Sequence, residues 1–231
     1  MVSRAVLDLM VRLGLPAALV ATGCFDVHGV EAGPLIIDDF EGTSLHPTDP
    51  TFDAWGCGKF PIPADDSYGC GRDGPGFQSD HALSLDAAIS DPMDGIQQEG
   101  GAFLQTVATT TKDLTRFSQL VFAARLDSSG LPPLSQPTLD VQIGCNSAAL
   151  DGPRPGAVYV SLRTEPVGND WQVLKVELGD LAAPTWPNTR ILERGPGCLK
   201  VADTLRFAVS AGLPDGHSGT LVLHIDDVEL E

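Results

Sequence analysis

The sequence predicts an all-β chain built as two packed antiparallel sheets, and three observations carry that prediction. Short runs of alternating apolar and polar residues recur from residue 35 to the end. Turn-forming residues separate those runs, with Gly 25 and Pro 18 spread over 231 residues. No window sustains a helical apolar stripe over three turns.

Taken in order, the expected strands are Leu35–Phe40, Ala82–Ile89, Ala102–Thr106, Gln119–Leu126, Thr138–Cys145, Val158–Leu162, Trp171–Leu178, Thr204–Ala211 and Thr220–Leu230. Leu139, Val141 and Ile143 share one face while Asp140 and Gln142 share the other; Leu205, Phe207 and Val209 likewise oppose Arg206 and Ser210. A period of two buries one face and wets the other, the pattern of an antiparallel sandwich. Residues 179–194 have room for a helical turn, which Pro184 and Pro187 limit. The stretch from Gly42 to Asp80 is the least regular. The expected organisation is a leader over 1–23, a tether over 24–34 and one sandwich domain over 35–231.

At 42% hydrophobic residues the chain can fill a sizeable core. Its formal net charge is −17, and no Lys/Arg cluster offsets it. Such a surface repels phosphate backbones and excludes nucleic acid as a partner. It tolerates divalent cations and neutral or cationic ligands.

Arg4 and Arg12 precede a short apolar stretch, Leu13 to Ala21, too short for a permanent membrane span. It runs into Ala21-Thr22-Gly23-Cys24, which resembles the lipobox of bacterial lipoproteins. The resemblance implies that Cys24 is acylated and becomes the mature N-terminus, so that acyl chains anchor the protein. Phe25 lacks the Asp of an inner-membrane retention signal, which makes the outer membrane the expected address. An ordinary cleaved signal is the alternative, and Met10 offers a second start. The other cysteines agree with export. Cys57, Cys70, Cys145 and Cys198 allow three pairings. Cys57–Cys70 is the economical one, closing a Gly- and Pro-rich loop for about 3 kcal/mol in the chain-entropy model. Cys145–Cys198 then joins a strand end to a later loop. Zinc is the weaker rival, because no Cys-x-x-Cys occurs and no His stands at ligand spacing.

The outer strands of the domain look alike: Ile37-Asp38-Asp39-Phe40-Glu41-Gly42 opens it and Ile225-Asp226-Asp227-Val228-Glu229-Leu230 closes it. Between them stand Asp113-Leu114-Thr115 with Leu120-Val121-Phe122-Ala123-Ala124-Arg125, and Trp171-Gln172-Val173 with Leu178-x-Asp180-Leu181. Together these stretches resemble the galactose-binding-like jelly rolls, which include carbohydrate-binding modules and the complex I intermediate-associated protein group. The likeness spans roughly residues 35 to 231. It implies chain ends lying side by side, which would gather Asp38, Asp39, Glu41, Asp226 and Asp227. Clustered carboxylates repel unless protonated or neutralised, and Ca²⁺ with its six to eight oxygen ligands suits that role. By resemblance the expected ligands of a structural Ca²⁺ are Glu41 and Asp226, then Asp38. The alternative is that these acids cap strands, accept turn N–H bonds and face water.

Carbohydrate modules set aromatic rings against sugar faces and bond the hydroxyls with carboxylates and amides. Trp55, Tyr68 and Trp186 lie in Pro/Gly-rich segments, so a loop could expose them. Arg125, Asp140, Gln142, Arg206 and His224 are polar residues on alternating strands that could share one sheet face. Trp171 is expected in the core. There is no Gly-x-Ser-x-Gly, no His-Glu-x-x-His and no phosphate-cradling loop. The sequence therefore points to a non-catalytic, envelope-anchored ligand-binding module, with carbohydrate as its ligand. A structural lipoprotein that contacts another envelope protein is the alternative. A glycan hydrolase comes third, since paired carboxylates alone are common in an acidic chain.

Overall fold

Two antiparallel sheets face each other across an apolar core, and the chain alternates between them as it folds. The computed structural model describes residues 33–42, 44–59, 67–90, 100–133, 135–146, 157–163, 167–181, 198–214 and 216–231. Within it, Ala32–Glu231 forms one compact unit. The leader, Cys24 and Trp186 lie outside the described residues.

The strands are β1 (Leu35–Asp38), β2 (Gly56–Lys59), β3 (Tyr68–Asp73), β4 (Ala82–Ser90), β5 (Gly100–Lys112), β6 (Gln119–Gly130), β7 (Gln136–Asn146), β8 (Ala157–Arg163), β9 (Gln172–Glu177), β10 (Ala202–Gly212) and β11 (Ser218–Leu230). One sheet has six strands in the order β3-β4-β11-β6-β9, with β1 also paired to β11. The other has five, in the order β2-β5-β10-β7-β8. The expected sandwich is present, and each expected strand has a counterpart. Of the stretch 179–194 expected to have room for a helical turn, residues up to 181 are described and include a 3-10 turn, Leu178–Asp180; the rest lies outside the described residues.

Alternation explains the core. Leu83, Leu85, Leu120, Phe122, Leu126, Leu223 and Ile225 point inward from the six-stranded sheet, and Leu104, Val141, Ile143, Phe207 and Val209 meet them from the other. Phe122 and Phe207 touch across the gap at 4.8 Å between ring centroids. Emptying either site by substitution with Ala would cost about 3–5 kcal/mol.

Two strands escaped the sequence reading. β2 and β3 carry Gly-Cys-Gly triplets, which show no apolar alternation, yet each pairs at the edge of a sheet. Cys57 on β2 bonds Cys70 on β3, so this disulfide ties one sheet to the other and does more than close a loop. The second disulfide, Cys145–Cys198, joins the end of β7 to the segment before β10 as expected.

Candidate functional site: two acid clamps and two outer faces

Each acidic bracket contains a β-bulge beside a buried aspartate. The register slips between Ile36 and Asp38 on β1, and again between Asp226 and Glu229 on β11. A bulge re-aims side chains and breaks simple alternation. It turns Asp38 and Asp226 into fully buried carboxylates, while Glu41 and Asp227 stay exposed.

Asp38 acts as a clamp inside the sandwich end. Its Oδ1 accepts the Phe40 N–H at 2.9 Å, and its Oδ2 accepts the Trp55 indole N–H at 2.8 Å. The Arg72 guanidinium reaches Oδ2 at 3.5 Å and donates to the Gly42 carbonyl at 2.8 Å. Phe40 has φ 54°, an unfavourable left-handed conformation for a Phe, held by that N–H bond and by complete burial of its ring. Burial drives the Asp38 pKa above its ordinary value; the Phe40 bond, Arg72 and Trp55 oppose that rise.

Asp226 clamps a loop to the outside of the six-stranded sheet. Its Oδ2 accepts the Phe77 N–H at 2.7 Å and the Ser79 hydroxyl at 2.6 Å, while Oδ1 accepts the Asp227 N–H at 2.9 Å. Gly76 is required there, because a Cβ would stand 2.3 Å from Asp226 Oδ2. Though its side chain reaches solvent, Asp227 is pushed above its ordinary carboxylate value by partial desolvation, then by the charges of Asp226, Glu229, Asp39 and Glu41.

These contacts bear on the expected Ca²⁺ set of Glu41, Asp226 and Asp38. Both buried carboxylates have each oxygen directed at a protein donor, and an oxygen so occupied is poorly disposed to ligate. Among the described residues no group of three or more His, Cys, Asp or Glu is arranged to hold a metal ion. Two of the three acids instead accept turn N–H bonds.

The residues expected to line one ligand face divide between two. On the outside of the five-stranded sheet, Arg206 lies between Gln105 and Gln142 in one cross-strand row. Phe103, Ala208 and Asp140 form the next row. Arg206 donates from Nε and Nη2 to Gln105 Oε1, at 3.1 and 2.7 Å, and its guanidinium sits 4.0 Å from the Phe103 ring centroid. Phe103 lies across Gly58, where a Cβ would come within 2.3 Å of the ring. Thr138 and Ser210 pair their hydroxyls at 2.9 Å farther along the same face. Gln142 is 0% exposed, and neither end of its amide has a hydrogen-bond partner. Asp140, Gln142 and Arg206 are thus brought together as expected. Phe103 and Gln105 went unnoticed, although the alternation Phe103/Gln105 against Ala102/Leu104 already marks them as outward.

Arg125 and His224 stand on the opposite face, paired across β6 and β11. The reason is topological: β6 and β11 belong to the six-stranded sheet, a fact that alternation within one strand cannot reveal. Trp55 is a correction, being 2% exposed and stacked on Phe207 at 6.0 Å, with its N–H given to Asp38. Trp171, expected in the core, is instead a half-buried residue over Arg125 on the outer face, 5.2 Å from guanidinium to ring. Tyr68 is 44% exposed at the start of edge strand β3, away from either row.

Neither a protein-family model nor a curated protein matches this chain. Solved structures do resemble it. A family 11 carbohydrate-binding module from Clostridium thermocellum, solved with a β-1,3-1,4-mixed-linked tetrasaccharide, superposes with a TM-score of 0.55 at 14% identity, covering 85% of this chain and 94% of that one. The family 11 module of a cellulosomal cellulase of the same organism gives a TM-score of 0.51 at 14% identity, over 86% and 94%. At this identity the likeness shows the fold alone: a sandwich of two antiparallel β-sheets.

Proposed function

We propose that the chain is a non-catalytic carbohydrate-binding module whose ligand face is the outside of the five-stranded sheet. One observation carries the reading: Asp140, Gln142 and Arg206, from two neighbouring strands, stand in adjacent rows beside a ring that Arg206 covers. Together they gather a carboxylate, a buried amide and a guanidinium beside the Phe103 ring, which the guanidinium covers. A sugar ring asks for this mixture, because its hydroxyls donate and accept while its C–H face is apolar. Buried Gln142 holds both a donor and an acceptor without hydrogen-bond partners, which a ligand that opens this face would satisfy. The structural neighbours that are carbohydrate-binding modules add support at the level of the fold.

The non-catalytic part rests on chemistry. His224, a buried histidine, faces Arg125 at 3.4 Å, and the Ser84 hydroxyl across from it on β4 donates to the Gly71 carbonyl at 3.3 Å, so the pair is not arranged as base and nucleophile. No Ca²⁺ belongs to this reading, since the carboxylates expected to hold it accept protein donors. Envelope anchoring through Cys24 is part of the proposal. Metabolic labelling with a fatty acid tests it: label should enter the wild type and be absent from Cys24→Ala. A glycan array with the purified chain tests the ligand face. Binding to at least one glycan, weakened about ten-fold or more in Arg206→Ala at unchanged Tm, is the expected result. Failure to bind any glycan sinks the reading.

A further inference from the structure

The six-stranded sheet carries an aromatic corner that the proposed ligand face does not use. Trp171 directly precedes β9, with Phe77 at 6.1 Å and His224 at 6.2 Å between ring centroids. The Asp226 clamp fixes Phe77 through its backbone N–H, so this ring rests on an anchored loop. Both Trp171 and Phe77 remain partly exposed.

Beneath the rings, Arg125 Nε and His224 Nδ1 are buried without a hydrogen-bond partner. His224 as a whole is only 7% exposed. The tautomer follows from its neighbour. Arg125 Nη2 can only donate, and it stands 3.4 Å from His224 Nε2, so Nε2 accepts and Nδ1 carries the proton. Both orphan atoms are therefore N–H donors in search of acceptor oxygens. Asp73, Asp86 and Asp127 act electrostatically on His224 from the surrounding surface.

We propose that this corner is a second carbohydrate contact, taking one neutral pyranose ring of a polysaccharide. The C–H face of the sugar lies against Trp171 and Phe77. Ring or hydroxyl oxygens accept from Arg125 Nε and His224 Nδ1, and hydroxyl protons go to the carboxylates of the rim. An acidic sugar is excluded by Asp73, Asp86 and Asp127 on a chain of net charge −17. A simple ammonium ligand is excluded because it brings no acceptor for the two donors. Reaching those donors moves Trp171 off Arg125, so the indole itself reports the event.

The inference rests on the carbohydrate reading of the chain but not on the five-stranded face. Proton–nitrogen correlation spectra of the full chain test it, with the Trp171 indole signal assigned by its loss in Trp171→Phe. The probes are neutral oligosaccharides of mixed-linked β-glucan, xylan, mannan and galactan, with oligogalacturonate as the charged counterpart. At least one neutral probe should shift the Trp171 indole saturably, oligogalacturonate should not, and the buried Trp55 indole should stay in place. Calorimetry with that probe should give two sugars per chain, falling to one in Trp171→Ala and to one in Arg206→Ala, each loss being about ten-fold or more in affinity at its own site. A Trp171 indole that no neutral probe moves overturns the inference. If Arg206-dependent binding persists in that case, the five-stranded reading stands alone. If only Trp171→Ala abolishes binding, the corner stands and the five-stranded face falls. Should Trp171→Ala fail to fold, the indole shift decides.

Discussion

On the five-stranded face, Arg206 covers the Phe103 ring at 4.0 Å and is held by Gln105 from the neighbouring strand. On the six-stranded face, Arg125 meets Trp171 at 5.2 Å, and what holds the assembly is a loop pinned by Asp226 across 149 residues of sequence. Both faces pair an arginine with an aromatic ring, but they are supported differently. The first is built within the sheet from adjacent strands, so its geometry follows from register alone. The second depends on a buried carboxylate that reaches out of the sheet. Local damage should therefore dismantle the second face far more readily than the first.

The largest effect belongs to the other clamp. Asp38→Ala leaves the Trp55 indole, the Phe40 amide and Arg72 without their buried acceptor, and should cost about 3–5 kcal/mol in chemical denaturation. A loss below about 1 kcal/mol would show that these donors find other partners. Removing the disulfides ranks next. In the chain-entropy model Cys145–Cys198, with a separation of 53, is worth about 4 kcal/mol, and Cys57–Cys70, with a separation of 13, about 3 kcal/mol. Double Cys→Ser variants measured by urea denaturation would check that order. The shorter link joins the two sheets, so a larger loss there would mean that it does more than restrict the unfolded chain.

Asp226→Ala should separate the two faces. It should cost about 2–3 kcal/mol and release Phe77 from Trp171, changing the near-ultraviolet circular dichroism while leaving Arg206-dependent binding intact. Loss of that binding as well would mean that the two faces are coupled.

Acid separates the faces through His224. Burial, and then Arg125, lowers its pKa below 6.5. Folding therefore favours the neutral ring; its full contribution is present above pH 6.5 and is lost as pH falls through the depressed folded value. Asp38 and Asp227 have the opposite sign. Their raised pKa values make stability rise as pH falls toward 3.8. The Tm difference between wild type and His224→Gln should therefore shift against the wild type as pH drops below 6.5. A difference constant with pH would remove His224 from the account. Chelation has the smallest expected effect: EDTA should leave Tm unchanged, and a fall of several degrees would restore a structural ion.

Much of the fold was legible because alternation is a local property. Leu139/Val141/Ile143 and Leu205/Phe207/Val209 announce which face is buried before any pairing is known. β2 and β3 were not legible, since Gly-Cys-Gly offers no apolar side chains to alternate. Of the candidate site, Asp140, Gln142 and Arg206 could be read from the same alternation. Which strands share a sheet could not, and that placed Arg125 wrongly beside them. The two tryptophans exchanged roles for a similar reason. Trp55 sits in a loop segment but is drawn inward by Asp38, whereas Trp171 precedes a strand whose outward parity puts it over Arg125. The partnership of Asp226 with Phe77 and Ser79 has no local signature at all.

Whether the five-stranded face binds carbohydrate is read out by affinity electrophoresis in gels containing soluble neutral polysaccharides. Wild type should be retarded by at least one of them. Arg206→Ala should lose about ten-fold or more in affinity for it while melting at the wild-type temperature. Equal retardation of wild type and Arg206→Ala by every polysaccharide, or no retardation of either, would contradict the account.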